Sequence, residues 1–331
     1  LRAAYNAALP KVTEFWTRLG ADERLFAKYK AIDTALLNAE QRQAHKNAVR
    51  NFVLGGAELQ GAERERFAAI QEKQAELGQK FSENTLDATD SFTHYATTDE
   101  LAGVPDDVKA ATRAAAEAEG KDGHKLTLHM PVYLPVMQYA DNRLLREQLY
   151  TAYVTRACEA GPAERDNGPV MAELLRLRQE EATLLGYPSY ADVSLVPKMA
   201  ESPAQVLTFL RDLARRARPY AERDLAELRE FAATELGLPD LQSWDSAYAS
   251  EKLKEARYAF SDQEVKQYFT EPKVLDGLFR IIETLFEVAI RPDTAPVWHP
   301  SVRFYRIERA GQLIGQFYLD PYARPGKRPG A

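Results

Sequence analysis

A closely spaced set of polar side chains ends the sequence. It lies in Gly315-Gln316-Phe317-Tyr318-Leu319-Asp320-Pro321-Tyr322-Ala323-Arg324-Pro325-Gly326-Lys327-Arg328-Pro329-Gly330-Ala331. Tyr318, Asp320, Tyr322, Arg324 and Lys327 put a carboxylate, two phenols and two cations at the end of an apolar strand, a common place for substrate contacts. They are the candidates for touching a substrate or for supporting the residues that do. Leu313, Gly315, Phe317 and Leu319 fall on one face of that strand, and Ile314, Gln316, Tyr318 and Asp320 on the other. Asp320 is expected to hold Arg324 or Lys327 through a carboxylate ion pair. Gly326 and Gly330 permit positive φ, while Pro325 and Pro329 stiffen the path between them. A strand-ending ion pair with no catalytic bearing stays open beside the substrate reading.

No complete catalytic constellation accompanies this set. The five histidines, His45, His94, His124, His129 and His299, are dispersed, and none lies in an HExxH motif. That motif would place two imidazoles one helical turn apart on a shared metal. His299, in Trp298-His299-Pro300, reads as a loop hydrogen-bonder. GxSxG, P-loop and GxGxxG motifs are absent. No catalytic residue and no metal ligand is therefore assigned within the 331 residues. One cysteine, Cys158, excludes an intrachain disulfide and a CxxC metal site, and is expected as a small buried apolar residue.

The elements that must position the terminal set are mostly helices. Hydrophobic residues make up 45% and charged residues 28% of the chain, as in an ordinary folded protein. A formal charge of -6 with no basic tract argues against general nucleic-acid binding. No run of about 18 apolar residues supplies a membrane span. Leu25, Tyr29, Ile32 and Leu36 keep helical spacing, and so do Gln41 to Leu54, closed by Gly55-Gly56. A long amphipathic helix is predicted from Ala62 to about Asp87. Ser91 to Tyr95 and Lys125 to His129 read as a small β ribbon. Between them Asp106 is expected to cap an Ala-rich helix.

Asn142 to Ala157 reads as a helix, and Asp166 or Asn167 as the cap of the next, which Gly186 ends. Ser202-Pro203 opens a helix to about Leu236 with a mixed-charge, solvated face. Further helices are predicted at 244–258, 261–268 and 272–289. Val302 to Glu308 and Leu313 to Asp320 then form a hairpin across Arg309-Ala310-Gly311-Gln312. The fold class is mainly α, with a small β ribbon and a C-terminal β-hairpin. Leu1 begins within a helical pattern and Ala331 falls inside a Gly/Pro loop, so the chain is expected to be an internal fragment.

Phe317-Tyr318-Leu319-Asp320 and the Gly/Pro loop after it resemble the FYLDLYxRxGKRxGA segment of the thimet-oligopeptidase-like zinc metallopeptidases, on their bacterial oligopeptidase A branch. Tyr133-Leu134-Pro135-Val136-Met137, Asp141-Asn142 and Leu145-Arg146 continue the resemblance. So do Leu185-Gly186-Tyr187, Trp244-Asp245 and Trp298-His299-Pro300, all in family order. Pro321, Pro329 and His129 depart from the pattern. The resemblance implies an elongated multi-helix body, half of a channel-type peptidase. Residues 1–295 would form the helical channel wall, and 296–331 the start of the catalytic region. It further implies a cytoplasmic, monomeric zinc metalloendopeptidase acting on short peptides, with neither nucleic acid nor membrane as partner. Its zinc ligands would lie beyond Ala331, leaving the chain by itself inactive. The alternative is a non-catalytic helical peptide-binding or scaffold protein.

Overall fold

The computed structural model describes residues 2–259, 262–322, 324 and 327. The helices in order are α1 (Arg2–Gly20), α2 (Glu23–Lys30), α3 (Ala39–Leu54), α4 (Gly61–Ser91), α5 (Asp106–Glu117), α6 (Met130–Tyr139), α7 (Arg143–Val154), α8 (Gly168–Leu184), α9 (Tyr190–Leu195), α10 (Pro203–Glu235), α11 (Ser246–Tyr258), α12 (Asp262–Lys266) and α13 (Glu271–Phe286). The strands are β1 (His94–Ala96), β2 (His124–Leu126), β3 (Ala289–Pro292), β4 (Arg303–Arg309) and β5 (Gln312–Leu319). The fold is mainly α, as the helical periodicity predicts. Two compact units arise, each from two stretches of chain: Leu1–Ala88 with Thr155–Leu225, and Thr89–Val154 with Ala226–Ala331.

In the first unit the helices start where short polar side chains can take their free amides. Asp22 accepts from the Leu25 amide at 2.9 Å, and Asn38 and Gln41 close a reciprocal capping box. Ser202 accepts from the Gln205 amide at 3.1 Å. The core joins Ile70 and Leu77 of α4 to Val170 and Leu177 of α8. Asn167 does not cap α8 with its side chain. It is buried, accepting from Asn84 at 2.9 Å and donating to the Phe81 carbonyl at 3.1 Å, while Asp166 takes the Gly168 amide at 2.8 Å. Cys158 is partly rather than fully buried, its thiol directed at the Thr155 carbonyl at 3.1 Å. On α10, Asp212 pairs with both Arg215 and Arg216, which makes this the mixed-charge face expected from the sequence.

In the second unit β1 and β2 form the antiparallel ribbon, and α5 packs over it. Leu101, Val108, Leu126, Val136, Leu145 and Leu149 belong to one buried core. Asp106 is the first residue of α5 and not its cap; Pro105 holds the cap position, and Asp106 serves as first-turn acid. Gly103 has φ +83°, and a Cβ there would lie 2.3 Å from the Tyr139 carbonyl oxygen, so the close approach requires glycine.

This unit also encloses an ionic hub. Arg146 is 1% exposed and Asp245 0%. The Arg146 guanidinium donates to Asp245 at 2.8 Å and to the Ala140 carbonyl at 2.6 Å, and Arg143 donates to the second Asp245 oxygen at 2.7 Å. Burial would raise the Asp245 pKa, but the two arginines and the Gln242 amide hold it below its ordinary value. The Tyr248 ring lies 4.1 Å from the Arg146 guanidinium, and its hydroxyl donates to Asp141 at 2.9 Å. Burial and Asp141 push that phenol up to about 12.

The chain's last sheet is antiparallel in the order β3-β4-β5. β3 corrects the sequence reading, which extended the preceding helix to 289. α13 stops at Phe286 because Glu287 adopts φ 53°, and the apolar run Val288-Ala289-Ile290 then favours extended backbone. Positive φ at both Ala310 and Gly311 gives the tight turn between β4 and β5. A bulge interrupts the register at Ile307/Glu308. Phe279 of α13 packs edge-on against Tyr305, which stacks on Phe317 with ring centroids 5.3 Å apart.

Candidate functional site

β5 turns Phe317 toward Phe279 of α13, half-buries Leu319 on the same side and leaves Gln316 and Tyr318 exposed, as the two-residue period predicts. The exposed side gathers an aromatic group: Tyr318 lies 4.5 Å from Phe304 and 5.0 Å from Trp298 between ring centroids. Both polar tips are already engaged. The Tyr318 hydroxyl donates to the Pro296 carbonyl at 3.2 Å, and the Trp298 indole donates to Asp320 at 3.1 Å.

The structure brings Asp320, Arg324 and Lys327 together. Arg324 donates to both Asp320 oxygens, at 2.7 and 2.8 Å. The Lys327 ammonium lies 3.2 Å from the same carboxylate and donates to the Tyr322 carbonyl at 2.9 Å. Arg324, then Trp298 and Lys327, hold the Asp320 pKa far below the ordinary carboxylate range, against a smaller opposing effect of burial. A carboxylate this fully occupied stays ionised and is unsuited to take a proton from substrate. It organises the strand exit instead. Tyr322 points away from this cluster and donates to Glu271 at 2.6 Å, which raises the pKa of its phenol. Pro325, Gly326, Pro329 and Gly330 lie outside the described residues.

Sequence reasoning missed Glu271, Arg303 and the role of Trp298. Trp298 carried a signal in Trp298-His299-Pro300, but Glu271 lies 51 residues before Tyr322 and has no local pattern to reveal it. The histidines separate. His45 bonds the Tyr29 carbonyl, His129 faces Asp90 at 3.0 Å, and His299 bonds Ser301 at 2.8 Å. His94 faces Gln148 at 3.3 Å. His124 is sealed in the core beside Thr112 and the Lys109 carbonyl, both at 3.1 Å from Nδ1. The carbonyl can only accept, so the proton of the neutral ring sits on Nδ1. Desolvation and the nearby Arg113 and Lys109 charges lower its pKa, outweighing that carbonyl. Among the described residues no group of three or more His, Cys, Asp and Glu side chains is placed to hold a metal ion. The zinc implied by the resemblance therefore has no ligand set among them.

Comparison with known proteins supplies what this geometry alone does not. Oligopeptidase A of Salmonella typhimurium is 46% identical over 340 residues, covering 100% of this chain and 50% of that protein. Oligopeptidase A of Escherichia coli matches with the same identity and coverage. Dipeptidyl carboxypeptidase of Escherichia coli is 30% identical over 317 residues, covering 93% of this chain and 46% of that protein. The chain thus spans about half the length of the curated relatives it matches. Peptidase family M3 matches residues 136–331, which include the ionic hub, the terminal sheet and the Asp320 cluster. On that match the chain belongs to peptidase family M3.

Proposed function

We propose that this chain serves a zinc-dependent oligopeptidase that hydrolyses short peptides, and that it supplies peptide-holding surface while the zinc ligands lie outside it. The observation that carries this reading is the 46% identity to oligopeptidase A along the whole chain. Residues 1–295 act as helical channel wall and 296–331 open the catalytic region. β5 is the last strand of its sheet, and an extended peptide can add to such an edge through its backbone. Tyr318, Asp320, Tyr322, Arg324 and Lys327 border that edge and set its exit. The enzyme works as a cytoplasmic monomer, and the isolated chain is inactive.

The test compares the 331-residue chain with the full-length protein on a short internally quenched peptide. The full-length protein cleaves it, a chelator stops cleavage and zinc restores it. The isolated chain gives none. Zinc-dependent cleavage by the isolated chain refutes its assigned inactivity. A full-length protein that binds peptides without cleaving them is a non-catalytic scaffold.

A further inference from the structure

Glu271 lies in the first turn of α13 and links two segments distant in sequence. One carboxylate oxygen receives the Tyr322 hydroxyl at 2.6 Å, and the other receives the Arg303 guanidinium. Arg303 is the first residue of β4 and stands opposite Leu319, the last residue of β5. The carboxylate therefore spans the final rung of the hairpin and catches the chain three residues past it. Its place near a helix N-terminus favours the ionised form that both bonds use.

We propose that Glu271 is a positioning residue for peptide hydrolysis, acting through Tyr322 to fix the strand-exit segment that carries Arg324 and Lys327. This rests on the oligopeptidase reading above. Among the described residues, the Asp320 side chain ties Arg324 and Lys327 to the strand end and to Trp298, whereas Glu271 ties the segment to α13 and β4. The Tyr322 hydroxyl is already committed as a donor to Glu271, so the phenol serves as one end of this link. The Glu271 side chain is 38% exposed and that of Arg303 37%. Polar pairs this open contribute little to stability. A link across 51 residues with so little effect on stability acts by placement.

The experiment has two arms. In the full-length protein, Glu271→Ala and Tyr322→Phe each raise KM for a short peptide about tenfold with kcat within about twofold, the pattern of lost substrate holding. The double variant is no worse than Glu271→Ala alone, because that variant already removes the one bond through which Tyr322 acts. Glu271→Gln, which keeps an acceptor for Tyr322, recovers most of the loss. In the 331-residue chain, the same two single variants speed deuterium exchange at the Lys327 amide, which donates to the Arg324 carbonyl at 3.1 Å. Exchange across β4 and β5 stays unchanged.

An active wild type whose variants keep its KM overturns the Glu271 proposal and leaves the oligopeptidase reading standing. Activity that falls only in step with the melting temperature also overturns it. A wild type without peptidase activity removes the oligopeptidase reading, and the exchange arm then decides whether Glu271 places the segment. Unchanged Lys327 exchange sinks that as well.

Discussion

Asp245 and Asp320 each gather two cationic side chains, yet their surroundings differ. Asp245 is closed off from solvent, with Arg146 beside it equally closed. Asp320 sits where an edge strand ends, with 17% of its side chain exposed and Arg324 at 22%. The chemistry of the two clusters is alike, a carboxylate held ionised by cationic donors, two guanidiniums at Asp245 and a guanidinium with an ammonium at Asp320. Their costs on disruption are not. Removing a carboxylate inside the core strands a charge that water cannot reach, while at the strand end water replaces the lost partner. The first cluster thus belongs to the stability of the second unit, and the second to the local path of the chain.

The largest expected effect tests that division directly. Asp245→Ala leaves Arg146 buried without its carboxylate and destabilises by about 3–5 kcal/mol in urea unfolding, as for other broken buried pairs. Asp320→Ala shifts the urea midpoint far less. Equal shifts would erase the contrast.

Acid sharpens it. The folded-state pKa of Asp245 is lowered, so its contribution is complete above the ordinary carboxylate value of 3.8. It is lost as pH falls from there through the folded-state value, because the unfolded chain takes up the proton first. Unfolding midpoints between about pH 5 and 2 should fall less steeply in Asp245→Asn than in the wild type, measured against each protein's own neutral value.

His124 supplies a buried base with no carboxylate partner. Its folded-state pKa is also lowered, so the same sign applies from a higher starting point. Stability declines as pH drops below about 6.5, by at most about 1.4 kcal/mol per pH unit. His124→Gln should remove that slope between pH 6.5 and 5, read from urea midpoints. A wild-type curve flat over this range would contradict the buried neutral ring.

The smallest effect concerns salt. Arg324→Met should lower the melting temperature slightly in dilute buffer and not at all in 1 M NaCl, where screening acts over about 3 Å. The loss in Arg146→Met should survive the same salt. A salt-insensitive Arg324 effect would place that pair deeper than its exposure says.

Much of this architecture was legible in the residues. The caps at Ser202 and Gly55, the ribbon at β1 and β2 and the alternation of β5 from Gly315 to Leu319 follow from local chemistry and period, whereas the bulge before Gly315 breaks the period and leaves Leu313 exposed. Asp320 was expected to hold Arg324 or Lys327, and it holds both. What stayed hidden depends on distance along the chain. Arg146 lies between Leu145 and Leu149 on the apolar side of α7, which signals a buried charge, but nothing nearby names Asp245 as its partner. Glu271 has a helix-start position like many others, and only the fold brings Tyr322 to it. β3 went unread, and the helix before it was carried to 289, because four residues are too few to show a period against the long apolar pattern before them.

The interleaving of the two units bears on synthesis. Ile70 and Leu77 of α4 leave the ribosome well before Val170 and Leu177 of α8, the residues that cover them. Between them comes all of Thr89–Val154, which belongs to the other unit. At about 5–20 residues per second the α4 face waits for several seconds with its apolar side chains uncovered. Asn84 waits too, since its partner Asn167 arrives in the same later stretch. A nascent chain stalled before residue 170 should therefore bind trigger-type chaperones and hydrophobic dyes through α4. One stalled after α8 has emerged should release them.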